Sequence, residues 1–558
     1  MRAIHASVPC ELGLRLRLRS TISMVSVVLA VLTAAAQVKH AAVSQPGHVP
    51  EEILKRPLPL RDGIGKAHEP VTTSSRDAQA YYDQGLAYLH SYVWIEAARS
   101  FNQALRLDSK LAMAYLGLSY ALGELGESDA ARRASEQASA LANSATDREQ
   151  SRINLRAKQL AAGAGPDKPS LQADYIKLFD QALAKYPNDV ELLLLRGQSQ
   201  GHRHDAPGMG GGEGSIPFYE RALAQQPRYF ATHHYLTHAY ENVGRLDRAL
   251  EHAGEYVRSA SAVPHAHHMY GHVLRRVGRM QDAITEFRRA DELELAYLQT
   301  EKIAPEYDWH YHHNLDLLGT SYQYTGQMRL AEAVLRRSFE LRSIQLSQEL
   351  NEDAWPMLLL QQGRAEQALT AARALTRRAD PVVQALGHLL ASRALMRLNR
   401  MDSATEEGDQ GVRQMRQASL GGILLPQLEI TQGDFLLRTG QTERGRTMLL
   451  DAVAKLRADP ASDMWTHTLL RLESVWRVSN ELGDGILAAE VAKQMQQHDP
   501  NYAGTHYALA KAAQQEGRLA TAREEYRAAI RGWNSADSDL PGLVDARRQL
   551  TVLQKSPN

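Results

Sequence analysis

From residue 76 onward, apolar positions recur every three or four residues, the period of helices that bury one face. These runs are short, and glycines punctuate them. Gly126, Gly278, Gly326, Gly363, Gly440, Gly483 and Gly517 each precede a fresh helical run. That alternation predicts pairs of helices joined by tight turns. Pro187, Pro227 and Pro500 stand where a pair must stop, because proline cannot continue a helix. Gly85, Tyr88, Ala97, Phe101 and Ala104 are spaced by 3, 9, 4 and 3. The same frame returns as Gly271, Leu274, Ala283, Phe287 and Ala290, and again as Ala510, Ala513, Ala522, Tyr526 and Ala529. Small residues let two helices cross closely, and large ones fill the gap to the next pair. An all-α chain of about 10–12 such pairs is expected, each burying its apolar face against its neighbours.

These spacings resemble the tetratricopeptide repeat over roughly residues 76–535, with a period of about 34. The resemblance implies a right-handed superhelical solenoid whose concave, first-helix face binds protein or peptide segments. Units starting near 230 and 264 are one period apart. The next starts near 312, which implies about 14 inserted residues within 291–311. The expected organisation is N-terminal units over 76–189, a histidine-rich section over 190–345, C-terminal units over 346–535, and a tail over 536–558.

The first 36 residues follow a different logic. Arg2, Arg15, Arg17 and Arg19 precede an apolar run from Ile22 to Ala36 that ends in Ala34-Ala35-Ala36. A positive end, a short apolar core and small residues are the layout of a secretory signal. The core is short of the roughly 20 residues of a membrane-spanning helix. Cleavage after Ala36 would leave 60 basic and 63 acidic residues and remove Cys10, the only cysteine. A thiol-free product suits an oxidising compartment, so a periplasmic or secreted location is expected, with no membrane span after cleavage. Residues 37–75, rich in Pro, Gly, Ser and His, read as a flexible linker. The 64 basic and 64 acidic residues of the full chain argue against nucleic-acid binding, which needs a basic excess.

Histidine changes the picture. Of the 22 in the chain, His233, His234, His238, His265, His267, His268, His272, His310, His312 and His313 crowd into one stretch. Counted from each unit start, His234 and His238 take positions 5 and 9, with Glu241 at 12. His265, His268 and His272 take positions 2, 5 and 9, and His313 and Asp316 take 2 and 5. At about 100° per residue, each set falls on one helix face. The repeat family places these positions on the concave groove. Two imidazoles four residues apart on a helix can bind one ion, and neighbouring first helices are close enough to share it. His234, His238, His265, His268, His272 and His313 are therefore the candidate metal ligands, with Glu241 and Asp316 as candidate bases. Imidazole ligands suit zinc, iron, copper or nickel. The competing reading is a histidine network, or a groove that binds an acidic peptide when protonated.

The stretches His234-Tyr235-Leu236-Thr237-His238-Ala239 and His265-Ala266-His267-His268-Met269-Tyr270-Gly271-His272 resemble a bacterial tetratricopeptide family. That family carries H-Y-x-x-H-A and then H-x-x-H-M-P-x-H-I, followed by a His-Asn pair, here His313-Asn314. This sequence departs from it at Tyr270, where the family has proline, and at Val273, where it has isoleucine. The resemblance covers roughly 200–340, extends distantly to animal relatives of the tetratricopeptide-38 type, and implies a site without naming a reaction.

Gly201-His202-Arg203-His204-Asp205 reads as a polar helix end. The run Gly208 to Gly214 lacks the Gly-Lys-Ser/Thr ending of a phosphate loop. Tyr307, Trp309 and Tyr311 either wall a pocket or pack. His388, His467, His498 and His506 are isolated. The sequence thus points to an exported repeat protein with a transition-metal site acting on a small-molecule substrate, as a hydrolase or an oxidase. The alternative is a non-catalytic scaffold in the cell envelope.

Overall fold

The computed structural model describes residues 48–164, 168–201, 211–418, 421–458 and 462–555. The expected signal segment lies outside these residues, as do 37–47, His202 to Asp205 and the start of the glycine run. The described residues form helix after helix, with no strand among them. None of these helices is long and apolar enough to cross a membrane. They divide into two compact units, 48–321 with 462–465, and 322–458 with 466–555.

The repeated frame becomes packing as its chemistry requires. A Cβ at Gly85 would lie 2.7 Å from the Phe101 ring, and one at Gly271 would lie 2.8 Å from Phe287. Glycine at this position lets the paired helix carry a large ring inward. Phe101, Phe287 and Tyr526 are completely buried, with Ala97, Ala283 and Ala522 beside them. All seven turn glycines named above adopt left-handed φ between 74° and 80°, as does Gly244. These are helix pairs of the tetratricopeptide type.

Five helices matter for the site: α1 (Phe230–Asn242), α2 (Leu246–Ser259), α3 (Pro264–Arg276), α4 (Met280–Glu301) and α5 (Trp309–Tyr324). The start of α3 follows that of α1 by one period of 34 residues. The insertion differs from expectation. It lengthens α4 to 22 residues, against 14 in α2, and adds a turn at Pro305–Tyr307. The first residue of α5 is Trp309 rather than one near 312. That moves His310 to position 2 and His313 to position 5, matching His265 and His268 in α3.

Residues 48–75, read as a linker, are strapped to the first unit in their described part. Val49, Ile53, Leu54, Leu58 and Ile64 are buried. Asn102 donates to the Leu54 carbonyl at 2.9 Å, and the Ala262 amide donates to the Gly63 carbonyl at 2.9 Å. The apolar residues in this stretch lack a sustained helical period because, apart from the single turn of helix Glu51–Leu54, they pack as an irregular strap. In the second unit, helix Pro541–Lys555 occupies the expected tail. Its Leu543, Ala546 and Leu553 close the cluster around Tyr526 and Trp533, the role of a terminal capping helix.

Candidate metal centre

Three histidine nitrogens, one each from His234, His238 and His265, lie within 4.8 Å of one another. A second group is made by His268, His272 and His313. All six predicted ligands are therefore gathered, as two triads rather than one set of four with helpers. Each triad spans two helices, α1 with α3 and α3 with α5. These residues are deeply buried, none more than 7 % exposed.

In the first triad, His234 Nε2 faces His265 Nε2 at 3.0 Å and His238 Nε2 at 3.1 Å. His234 Nδ1 lies 2.6 Å from the His90 carbonyl, which can only accept, so Nδ1 carries the proton. Its Nε2 is left with a lone pair aimed at the other two rings. The second triad uses the same device. His268 Nδ1 faces Asn314 Oδ1 at 3.0 Å, and the Asn314 amide nitrogen donates to the Phe287 carbonyl, which fixes the amide's orientation. His268 Nε2 therefore bears a lone pair, and it has no hydrogen-bond partner among the described residues. Such outer contacts orient a ligand ring and select its tautomer.

Burial, reinforced by neighbouring imidazoles, holds His234, His265 and His268 well below the ordinary histidine range. For His272 the cause after burial is the Arg275 guanidinium. Burial brings His238 to about 4 against the pull of Glu241, and it lowers His313. Burial thus favours the neutral ring, the form that binds metals.

The two candidate bases sit differently from the ligands. Glu241, on α1, is fully buried, with Oε1 3.3 Å from His272 Nδ1 and 3.7 Å from Arg276 Nη1. It stands behind a ligand ring. His272 Nδ1 is also 3.3 Å from Arg275 Nη2, but it serves only one of the two: protonated, it donates to Glu241 and leaves the Nε2 lone pair free for an ion. Asp316 is buried on α5 and helps raise the proton affinity of His313.

Three residues were missed by the sequence reading. His310 lies between the triads, its ring 4.9 Å from that of His265 and 4.7 Å from that of His268. Its Nδ1 pairs with Glu294 Oε2 at 2.7 Å, while its Nε2 has no hydrogen-bond partner among the described residues. A correct start for α5 would have found it. Tyr92 covers the first triad, with its ring 4.6 Å from His234, 5.3 Å from His265 and 5.7 Å from His238. It takes φ 59° at the turn where the repeat frame has glycine seven residues after Gly85, and that mismatch was the legible signal. Asp463 approaches the second triad from a turn far along the chain, and no helical period announces it.

Two of the other crowded histidines serve the helix pairs. His233 and His267 stand at position 4 and bond residues nineteen further on, His252 and Glu286, in their own pairs. His388 and His506 do the same with Glu407 and Glu525. Tyr307 and Trp309 do wall a cavity, of about 80 Å3, which also touches Tyr92, His265 and His310.

No family model and no curated protein matches the sequence. Among solved structures, the chain is similar to yeast Tom70, with 12% identity over 86% of this chain and 95% of that one and a TM-score of 0.30. It is also similar to YrrB, described as a TPR protein with an unusual peptide-binding site, with 18% identity over 36% and 95% and a TM-score of 0.26. PilW, a type IV pilus biogenesis factor, matches with 19% identity over 41% and 94% and a TM-score of 0.24.

Proposed function

We propose that this chain is a metalloprotein whose two neighbouring three-histidine sites each hold a transition-metal ion, zinc, iron or copper, for hydrolase or oxidase chemistry on a small molecule. The observation that carries this reading is His268 Nε2, a buried lone pair aimed at two further imidazoles with nothing to bond. Leaving such a nitrogen unsatisfied costs about 1–3 kcal/mol. A cation shared with His272 and His313 removes that cost. In the first triad, separations of 3.0 and 3.1 Å are near the ~3.3 Å between ligands of a tetrahedral ion with bonds of about 2.0–2.1 Å.

A bound ion with an open position supplies Lewis-acid activation of water or dioxygen. The chain's own residues prepare the place. The His90 carbonyl and Asn314 set the ring tautomers, Glu241 orients His272 from behind, and Tyr92 and Trp309 limit water. Glu241 is thus a positioning residue, and Asp316 remains the candidate base. The arginine-rich, apolar N-terminus supports export to the periplasm or medium.

The alternative scaffold function draws support from the repeat architecture, whose grooves suit peptide segments. At this site, however, buried imidazoles offer a peptide no surface. Mass spectrometry of metal in untagged protein, loaded with Zn, Fe or Cu and then desalted, separates the two. Two ions per chain are expected, falling to one in His234→Ala and in His268→Ala while helicity persists. No retained ion in the loaded wild-type chain would leave the scaffold reading.

A further inference from the structure

The two triads differ in what completes them. Beside the second, Asp463 Oδ1 lies 3.4 Å from His272 Nε2 and 3.8 Å from His313 Nε2. Ligands of one tetrahedral ion are ~3.3 Å apart, so the carboxylate stands at the edge of that coordination shell. The residue before Asp463, Ser462, is bound by two of the histidine helices. Arg275 Nη2 donates to the Ser462 carbonyl at 2.6 Å, and Ser462 Oγ lies 3.0 Å from Asn242 Oδ1. The histidine helices themselves thus hold the turn in place, although Asp463 is 150 residues beyond His313.

By mutual distance neither group includes a carboxylate among the described residues. The difference is that Asp463 pairs with two nitrogens of the second, and no described carboxylate pairs so with the first. What it has is the Tyr92 ring and, past His265, the cavity of about 80 Å3 bounded by Trp94, Trp309 and His310. A site with four protein ligands is closed and structural, whereas one with three keeps a position for water or substrate.

We infer that Asp463 is the fourth ligand of the His268/His272/His313 site and closes it, so that the reactive position belongs to His234/His238/His265 and is reached through the aromatic cavity. An apolar cavity of about 150 Å3 admits benzene. Half that volume admits a molecule of a few heavy atoms, or the apolar tip of a larger one. Carboxylate also makes the second site harder than the all-imidazole first, so it prefers zinc, iron or cobalt to copper(I).

This inference rests on the two-ion reading, and cobalt(II) with azide tests each separately. Cobalt is counted by mass spectrometry, and azide is titrated against the visible bands of the loaded protein. Wild type should take two cobalt ions and one azide. Asp463→Ala should bind its second cobalt on the order of ten-fold or more weakly and, at saturating cobalt, take two azides. Asp463→Asn, which keeps the side chain's shape, should show the same weakening and answers the question should the alanine variant lose helicity. His238→Ala should lose the azide response, and His313→Ala should keep it. Unchanged cobalt affinity and azide count in both Asp463 variants would overturn the inference while leaving the metal reading intact. Azide binding that survives His238→Ala would overturn it too. No cobalt on wild type would sink both.

Discussion

Tyr92 shows how one residue can depart from a repeat for the sake of a site. Its left-handed φ of 59° costs a non-glycine residue about 1–2 kcal/mol. Trp309 Nε1 donates to its carbonyl at 3.1 Å and ties that turn to α5. Against the strain stand ring contacts with three ligand histidines, each pair worth roughly 0.5–1.5 kcal/mol. Three such pairs total about 1.5–4.5 kcal/mol and outweigh the strain, so Tyr92→Gly should lower stability to urea by about 1–2 kcal/mol. Metal should also pass faster from the first triad to an external chelator. A variant more stable by the full strain, with unchanged extraction, would make Tyr92 an accident of the turn. The frame of the repeats pointed at this residue, because glycine is missing where every neighbouring unit needs it. What the sequence could not supply was the ring's target, which depends on how the first helix pair meets α1 and α3.

At the level of elements, α4 and α5 carry the lesson. A histidine's role follows from its count along the helix, with position 4 tying a pair together and positions 2, 5 and 9 facing the site. That count was readable in α1 and α3, where the period holds. It failed in α5, because an insertion absorbed by a longer α4 leaves no mark on apolar spacing, and His310 was misplaced with it. The added length of α4 also carries Glu294, which meets Asp308 at the start of α5. Burial raises both to about 8, and for Asp308 the nearby Glu294 carboxylate adds to it. Carboxyls raised in the fold keep protons that the unfolded chain releases near pH 4. Their contribution is thus complete below about pH 4 and is lost as pH climbs through about 8. Asp308 also caps α5, accepting from the His310 amide at 2.8 Å, and asparagine caps equally well. In metal-free protein, Asp308→Asn should therefore flatten the fall in melting temperature between pH 5 and pH 8.5. Parallel curves for the two proteins would show that the carboxyl pair does not share a retained proton.

Over the whole molecule, the repeats were legible because each pair announces itself locally, through a small residue, a large one and a turn. Nothing local announced the two compact units, the strap over 48–75, the capping helix at 541–555 or Asp463. Each is a long-range contact, and a repeat period carries no information about such contacts. The site shares this division. Its six candidate ligands could be read from helical register, whereas their sorting into two triads comes from which first helices stand side by side. A histidine network and a metal centre would share every one of these residues. Anomalous scattering at the metal's absorption edge, from crystals of loaded protein, distinguishes them most directly. Two peaks are expected, each about 2.0–2.1 Å from three imidazole nitrogens, one among His234, His238 and His265 and the other among His268, His272 and His313. Fully loaded crystals with peaks only at surface histidines, or with none, would contradict the metal reading.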